Sequence, residues 1–293
     1  MSHNPELSEV DVSICIASYN MADTIEQSLS TITENLPQNF EIVIVDQSTD
    51  GSKEIIKNID SNSELEFKTV FTKHPLGVGH ARNIAVCEAT GDIVVTHVDA
   101  DDWYDSRFFP AMVELYLLIR EHRGGDYFFS SSNMNISSKD HMKNNYLLSS
   151  LPIGANEKEY RWRAYKNDDF VGLNLDAEVS GRIKLSDRKT IWSRIQRTYI
   201  RNLGMYKIGY STRRVIKEDI MMRSWSLYSK LFRLGILPFV WFHSLFIDTI
   251  DSSPVPGTTL PEALSESTYE LGALRERHDI DKDILICELV DGE

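Results

Sequence analysis

Cysteine is scarce in this chain of 293 residues, which contains only Cys15, Cys87 and Cys287. No Cys-x-x-Cys pair and no cysteine–histidine spacing typical of a zinc site occurs, and three cysteines are too few for a disulfide framework. The polar amino terminus does not have the apolar core of a secretory signal peptide. From these absences we expect a reduced, cytoplasmic protein.

Long hydrophobic runs are also missing. The longest apolar stretch covers residues 231–247, and four residues interrupt it: Arg233, Gly235, Pro238 and His243. This stretch is too short and too broken to predict a membrane-spanning helix. We expect the end of a buried helix followed by a strand over Ile236–Ile247, with a peripheral contact at a membrane surface as the alternative.

Basic residues are fewer than acidic residues over the whole chain, whose formal net charge is −13. This charge excludes a general nucleic-acid-binding protein, which needs a basic surface. The charge is uneven, because residues 1–110 hold 6 basic and 19 acidic residues whereas residues 139–234 hold 20 basic and 10 acidic residues. The basic middle is suited to a phosphorylated ligand or an anionic membrane. A set of solvated helix faces explains it equally well.

Apolar runs rich in Ile and Val alternate with helical patterns through the first hundred residues. The runs Val12–Ala17, Phe40–Val45 and Ile93–Val98 predict buried strands,. Such alternation with short connections predicts an α/β fold with a mostly parallel sheet covered by helices on both faces. Right-handed crossovers bring the carboxyl ends of the strands to one edge, so we expect Tyr19, Asp46 and Asp99 to lie there.

An acidic stretch, Asp99-Ala100-Asp101-Asp102, follows the last of these strands. On an extended chain Asp99 and Asp101 would project to the same side. Two carboxylates converging at a strand end are suited to a hard divalent cation, Mg²⁺ or Mn²⁺. The alternative is an acidic turn that caps the following helix, since such turns are common.

The second half of the chain is less regular in pattern. We expect residues 133–180, which are polar, to form an extended, partly mobile acceptor-side region, and Glu218 and Asp219 to open a long helix that ends at Leu234. Helices are further predicted over Phe108–Ile119 and Lys189–Leu203, and a strand over Tyr127–Ser132.

Four blocks, taken in order, resemble the family 2 glycosyltransferases, which are inverting sugar transferases with the GT-A fold. They are Val12–Asn20, Phe40–Ser52, Gly77–Asn83 and the Asp99–Asp102 stretch, which resembles the DxD motif. The resemblance is strong over residues 11–105. It is weaker over residues 189–247, where Lys217-Glu218-Asp219 resembles the Glu-Asp pair of the family.

The resemblance implies a donor site for a nucleotide-diphosphate sugar, either a UDP- or a GDP-sugar. It implies a single GT-A domain in which residues 1–105 bind the nucleotide sugar and residues 106–250 bind the acceptor and carry the catalytic base, with residues 251–293 as a C-terminal extension. Tyr19 would stack on the donor base, Asp46 would hydrogen-bond that base, and Arg82 would steady the nucleotide together with Asp46. The donor site would also include Ala17 and Glu218.

For the metal, the resemblance implies that Asp101 is a direct ligand and that Asp99 reaches the ribose or the metal. His243 aligns loosely with a position that holds metal or diphosphate in some relatives, and a buried core histidine is the alternative for it.

Asp219 would be the catalytic base for the acceptor hydroxyl, which belongs to a glycan or to a lipid-linked sugar. The Gln-x-x-Arg-Trp motif of processive synthases is absent, so we expect transfer of a single sugar.

Two further classes of protein stay open. One is a nucleotidyltransferase on a similar sheet, although the glycine- and lysine-rich phosphate loop is missing. The other is a catalytically silent sugar-nucleotide-binding protein.

Overall fold

The computed structural model describes residues 7–131, 134–147, 163–164, 167–175, 182–184, 195, 198–199, 202–203, 205–206, 211–221, 227–246 and 286–288. Ten strands lie in these ranges: β1 (Val12–Ser18), β2 (Phe40–Asp46), β3 (Glu66–Phe71), β4 (Ile93–Asp99), β5 (Asp102–Tyr104), β6 (Phe128–Ser131), β7 (Asn135–Ser138), β8 (Phe170–Leu175), β9 (Arg182–Lys184) and β10 (Ile286–Glu288). The α-helices are α1 (Ile25–Thr33), α2 (Ser52–Asn62), α3 (Val78–Glu88), α4 (Phe108–Arg123), α5 (Lys139–Asn145), α6 (Thr212–Val215) and α7 (Leu227–Ser244). A 3₁₀ turn spans Leu7–Glu9, and a π-helix spans Ile216–Met221.

Eight strands form one sheet in the order β10-β8-β6-β7-β4-β1-β2-β3, and β5 pairs with β9 in a small second sheet. Strands β4, β1, β2 and β3 are parallel, whereas β7 runs antiparallel to both β4 and β6. The central strands β1, β2 and β4 are almost wholly buried, as the predicted Ile- and Val-rich runs require of strands covered on both faces,. The mostly parallel α/β sheet is therefore confirmed.

Helices cover the two faces of the sheet with separate hydrophobic clusters. Helices α1, α2 and α4 pack on one face through residues such as Leu29, Ile56 and Phe109. Helix α3 covers the other face, where Ala81 and Ala85 contact the strands. These small side chains allow α3 to pack close to the sheet. The first turns of α3 therefore lie near the carboxyl ends of β1 and β4.

A β-bulge interrupts β4 just before its acidic end. Ile14 of β1 pairs with Val95, but Ile16 pairs with Val98, so β4 carries one extra residue over this interval. His97 takes up the irregularity with a φ of 68°. A bulge reverses the alternation of side chains beyond it. Val95 and Val98 are three positions apart, yet both point to the face of the sheet that α1 and α4 cover and belong to the hydrophobic cluster there. Asp99 is thereby directed to the face that α3 covers.

A buried carboxylate holds the opposite, amino-terminal edge of the sheet together. Glu41 Oε1 accepts hydrogen bonds from Thr90 N (2.6 Å) and Gly91 N (3.2 Å) and from Ser13 Oγ. Gly91 is required there, since a Cβ at this position would lie 2.8 Å from Asp11 O. Burial acts to raise the pKa of Glu41, but the hydrogen bonds outweigh it and lower that pKa below its ordinary value,.

Residues 133–180 contain more regular structure than their polar composition predicted. Strands β7 and β8 and helix α5 lie in the described part of this range, where no strand or helix beyond Ser132 was predicted. The polar side chains satisfy one another inside the sheet: Asn135 is fully buried and its Oδ1 accepts from Ser130 Oγ at 2.7 Å. Polarity alone therefore did not indicate exposure here.

The carboxyl-terminal elements also differ from the prediction. The predicted helix Glu218–Leu234 is replaced by the π-helix and α7, and the predicted strand Ile236–Ile247 is wrong because α7 continues through Ser244. A short apolar run does not distinguish a strand from a helix by periodicity. His243 therefore lies on a helix. Most of the predicted helix over Lys189–Leu203 and of the extension 251–293 lies outside the described residues.

In the described part of the chain, no helix combines the length and the apolar composition needed to cross a bilayer. The sheet joins strands from residues 1–105 and from residues 106–250. The functional division at these boundaries stays a prediction.

Replacing Glu41 by Gln is expected to lower the free energy of unfolding at neutral pH by about 1–3 kcal/mol, because a charge-assisted network is weakened. The folded-state pKa of Glu41 is depressed, so its stabilisation is present above the unfolded-state pKa and is lost as pH falls through the folded-state value. Urea unfolding at neutral and acidic pH measures both. The exposed Glu64→Gln is the control, and an equal loss at both pH values would contradict the role of the charge.

Candidate active site

The carboxyl ends of β1, β2 and β4 meet at one edge of the sheet. In the parallel register Ser18 pairs with Asp46, and Ala17 lies between Val45 and Asp99. Tyr19 follows β1 directly and is 46% exposed. The structure thus brings together Ala17, Tyr19, Asp46 and Asp99, in the crevice where open α/β sheets place their ligands.

Asp46 is a buried carboxylate held by the loop that follows it. Ser48 Oγ donates to Asp46 Oδ1 at 2.6 Å, and Ser48 N approaches Oδ2 at 3.3 Å. The same hydroxyl accepts from Asn20 N at 2.7 Å, which ties the β1 and β2 loops together. Asn20 has a φ of 54°, a conformation that asparagine tolerates better than most residues,. The two loops therefore form one rigid unit around Asp46.

Arg82 on α3 forms an ion pair with Asp99. The Nη2–Oδ1 distance is 2.9 Å, and the arginine is only 6% exposed. The backbone N–H of Asp99 donates to the phenolic oxygen of Tyr104 at 2.7 Å. The joint action of Arg82 and Asp46 on the nucleotide stays a prediction. The ion pair places a largely desolvated guanidinium beside the end of β4, and a guanidinium stays protonated in a protein.

Three carboxylates converge beside this ion pair. One oxygen each from Asp99, Asp101 and Asp102 lies within 4.8 Å of the others. Strand β4 ends at Asp99 and β5 begins at Asp102, so the tight turn between the two strands produces the convergence. Neighbouring carboxylates repel one another, and a divalent cation with oxygen ligands relieves that repulsion. The donor set therefore fits Mg²⁺ or Mn²⁺.

For the site residues predicted in the second half of the chain, the structure describes the backbone but not the side chains. Glu218 and Asp219 lie within the π-helix Ile216–Met221, and His243 lies near the end of α7. The side chains of these three residues lie outside the described part, so no contact with the acidic cluster is assigned to them. Short π-helical segments occur frequently at functional sites.

Several residues of this edge were not singled out from the sequence as site residues. Asp102 is adjacent to Asp101, and that adjacency was its only signal in the sequence. Ser48 and Asn20 act through loop-to-loop hydrogen bonds, and Tyr104 reaches back to Asp99 from β5. Contacts of this kind depend on the folded path of the chain, which residue spacing does not reveal.

Comparison with known proteins gives a consistent result. A family model described as "Glycosyl transferase family 2" matches residues 13–172. The chain is 26% identical over 188 residues to the amylovoran biosynthesis glycosyltransferase AmsB of Erwinia amylovora, covering 62% of this chain and 60% of that protein. It is 35% identical over 94 residues, 32% of the chain, to an Escherichia coli protein named UDP-Glc:alpha-D-GlcNAc-diphosphoundecaprenol beta-1,3-glucosyltransferase WfaP, of which the match covers 36%. The matches thus span less than two thirds of the length of both relatives.

Among solved structures, the mannosyltransferase PcManGT of Pyrobaculum calidifontis, in complex with GDP-Man and Mn²⁺, has a TM-score of 0.55. It is 17% identical, and the match covers 94% of this chain and 84% of that one. At this identity the likeness shows the fold alone, and it confirms the expected GT-A fold.

We expect the acidic cluster to bind Mn²⁺, with calorimetry as the measurement. Asp101→Asn and Asp102→Asn should each weaken binding at least about tenfold, because each removes a charged oxygen ligand with little change in shape. Asp92→Asn, an exposed acid at the start of β4, should have no effect. Unchanged affinity in both cluster variants would show that the acidic cluster does not hold the ion.

Proposed function

The chain belongs to the family 2 glycosyltransferases, and from that premise we propose that it moves one sugar from a nucleotide-diphosphate sugar to an acceptor hydroxyl, with inversion at the anomeric carbon. The observation that carries the proposal is the convergence of Asp99, Asp101 and Asp102 beside the buried Arg82. This arrangement meets the main need of the reaction, which is to stabilise a diphosphate leaving group.

The donor nucleotide is proposed to bind along the ends of β1 and β2. Tyr19 offers an exposed ring for stacking on the base,. Asp46, held in one orientation by Ser48, accepts a hydrogen bond from the base, and Ala17 allows the nucleotide to approach the backbone between them. UDP- and GDP-sugars are the proposed donors, since WfaP is named for UDP-Glc and PcManGT was solved with GDP-Man.

The diphosphate end is proposed to lie over the acidic cluster, where Asp99, Asp101 and Asp102 hold Mn²⁺ or Mg²⁺. When bound, the ion supplies Lewis-acid stabilisation of the charge that develops on the leaving phosphates. Arg82 fixes the Asp99 carboxylate through their ion pair. It also contributes positive charge at the nucleotide end without needing a proton change, because guanidinium stays protonated.

Asp219 is proposed as the general base that takes the proton of the acceptor hydroxyl as the new bond forms. A single displacement from the side opposite the leaving group inverts the anomeric centre. Glu218 is proposed to contact the donor sugar, and His243 to assist the metal. The location of Glu218 and Asp219 on a π-helix supports this assignment,.

The acceptor is proposed to be a glycan or a lipid-linked sugar. Residues 139–234 carry twice as many basic as acidic residues, which suits a phosphate-bearing acceptor. The name of WfaP specifies an acceptor linked to diphosphoundecaprenol. We propose that the protein works in the cytoplasm at the inner face of the cell membrane.

A screen of UDP- and GDP-sugars tests the proposal. With Mn²⁺ present, the cognate donor should raise the melting temperature, because a ligand that binds only the native state stabilises it by mass action. The same donor should be hydrolysed slowly or transferred. Stabilisation without any turnover on a panel of acceptors would indicate a silent binding protein. Release of pyrophosphate in a parallel assay with a nucleoside triphosphate and a sugar 1-phosphate would indicate a nucleotidyltransferase.

Asp219→Asn should reduce transfer by about 10²–10⁴-fold, which is the usual contribution of a general base. Binding of the donor with Mn²⁺, measured by calorimetry, should be retained. Asp168→Asn, an acidic residue in an exposed turn, serves as the matched control. If the Asp219 variant keeps most of its activity, the proton acceptor is another group.

A further inference from the structure

Helix α7 presents an apolar face to solvent. Its inward side is set by Leu237 and Val240, which pack in a small cluster with Met205, Val215 and Ile220. At 100° per residue, the opposite side of the helix is formed by exposed residues, and exposed apolar residues also lie on the flank between the two sides. The opposite side consists of Leu231, Gly235, Pro238, Phe239 and Phe242, the flank of Leu227, Leu234 and Trp241, and the residues just after the helix, Leu245 and Phe246, are exposed as well. We call these ten residues the outer stripe.

The outer stripe reverses the usual amphipathic pattern of a surface helix. A helix on the surface of a globular protein ordinarily turns charged residues outward. On α7 no residue with a described, exposed side chain is charged, and Phe239 is 72% exposed and Phe246 73%. The charged residues of the helix, Lys230 and Arg233, lie toward the packed side, where the ammonium group of Lys230 donates to Met221 O at 3.2 Å. An exposed apolar face of this kind marks an interaction surface.

Charge around the stripe identifies the partner. The chain as a whole carries a net charge of −13, yet residues 211–246 contain six basic residues against two acidic ones, Glu218 and Asp219. Of the basic residues, Arg213 on α6 and Lys217 on the π-helix are exposed. Positive charge beside an apolar face complements an anionic lipid surface. The aromatic residues at the end of α7 are of the kind that sit at the boundary between headgroups and acyl chains.

A single rounded helix face is suited to a lipid surface. A second copy of the chain would have to offer a closely matching surface, because a stable protein interface buries about 800 Å² of accessible area on each partner. A bilayer needs no matching surface, since side chains inserted at its interface gain the hydrophobic free energy directly.

We infer that α7 docks the protein on an anionic membrane, with Phe239, Trp241 and Phe242 inserted at the interface and with Arg213 and Lys217 near the headgroups. The helix lies on the membrane rather than across it. This surface gives the proposed membrane location a structural basis, but it is inferred from α7 alone. Lipid binding is measured without donor or acceptor, so its failure is separate from failure of the transferase proposal.

Flotation of the full chain with vesicles tests the inference. The protein should float with phosphatidylcholine vesicles that contain phosphatidylglycerol, and more weakly with phosphatidylcholine alone. The double variant Phe239→Gln/Phe242→Gln should bind at least about tenfold less, because two apolar insertions are removed. These side chains are exposed, so the fold should be kept, as circular dichroism would check. Leu76→Gln, which changes an apolar residue of similar exposure in the loop before α3, should bind as the wild type does.

Two further variants distinguish insertion of side chains into the bilayer from electrostatic attraction to the lipid headgroups. Lipids brominated in their acyl chains should quench tryptophan fluorescence of the wild type, and Trp241→Phe should lose that quenching while it still floats. Arg213→Gln/Lys217→Gln should lose the preference for phosphatidylglycerol, with Lys57→Gln on α2 as the charge control. Failure of the full chain to float would overturn the inference. So would stripe-dependent dimerisation in light scattering without lipid binding, because the occupant would then be a second copy.

Discussion

In-register pairing of the parallel strands β4, β1 and β2 is the constraint on which the rest of the molecule depends. Each strand is buried on both faces, so its polar residues lie mainly near its ends, with Thr96 and His97 at the bulge of β4 as exceptions,. At the amino edge the ends are tied by Glu41 to the turn at Thr90 and Gly91. At the carboxyl edge the ends carry Asp46 and Asp99. The amino edge is thereby closed by internal hydrogen bonds, and the carboxyl edge carries the carboxylates of the candidate site.

The parts of the fold that could be predicted are those in which composition and period agree. Strands β1, β2 and β4 were evident because their Ile- and Val-rich runs leave no alternative to a buried strand. Strands β6 to β8 were harder to predict, since Asn135 and Ser130 satisfy each other inside the sheet. Helix α7 was mistaken in part for a strand because its outer stripe is apolar, so that the 3.6-residue period was hidden.

The residues of the candidate site likewise divide into those that could be predicted from the sequence and those that could not. Asp46, Asp99 and Asp101 follow predictable strands, and their placement at one edge follows from parallel topology. Asp102 and Tyr104 were not identified because β5 is fixed by its pairing with β9, about eighty residues later in the chain. The ion pair between Arg82 and Asp99 was also not predictable, since it depends on which face of β4 bears Asp99. Spacing along the chain does not carry that information.

The bulge at His97 has a consequence for how this chain can vary. Regular pairing of β4 beyond Val95, with every residue of the strand kept, would place Asp99 on the same face as Val95 and turn the acidic end toward α1, away from Arg82,. Removal of the one extra residue would instead restore regular pairing and leave Asp99 on the face that Arg82 occupies. A deletion at the bulge should therefore be tolerated better than a deletion elsewhere in β4, because only there does the shortened strand keep both its register and the direction of its acidic end.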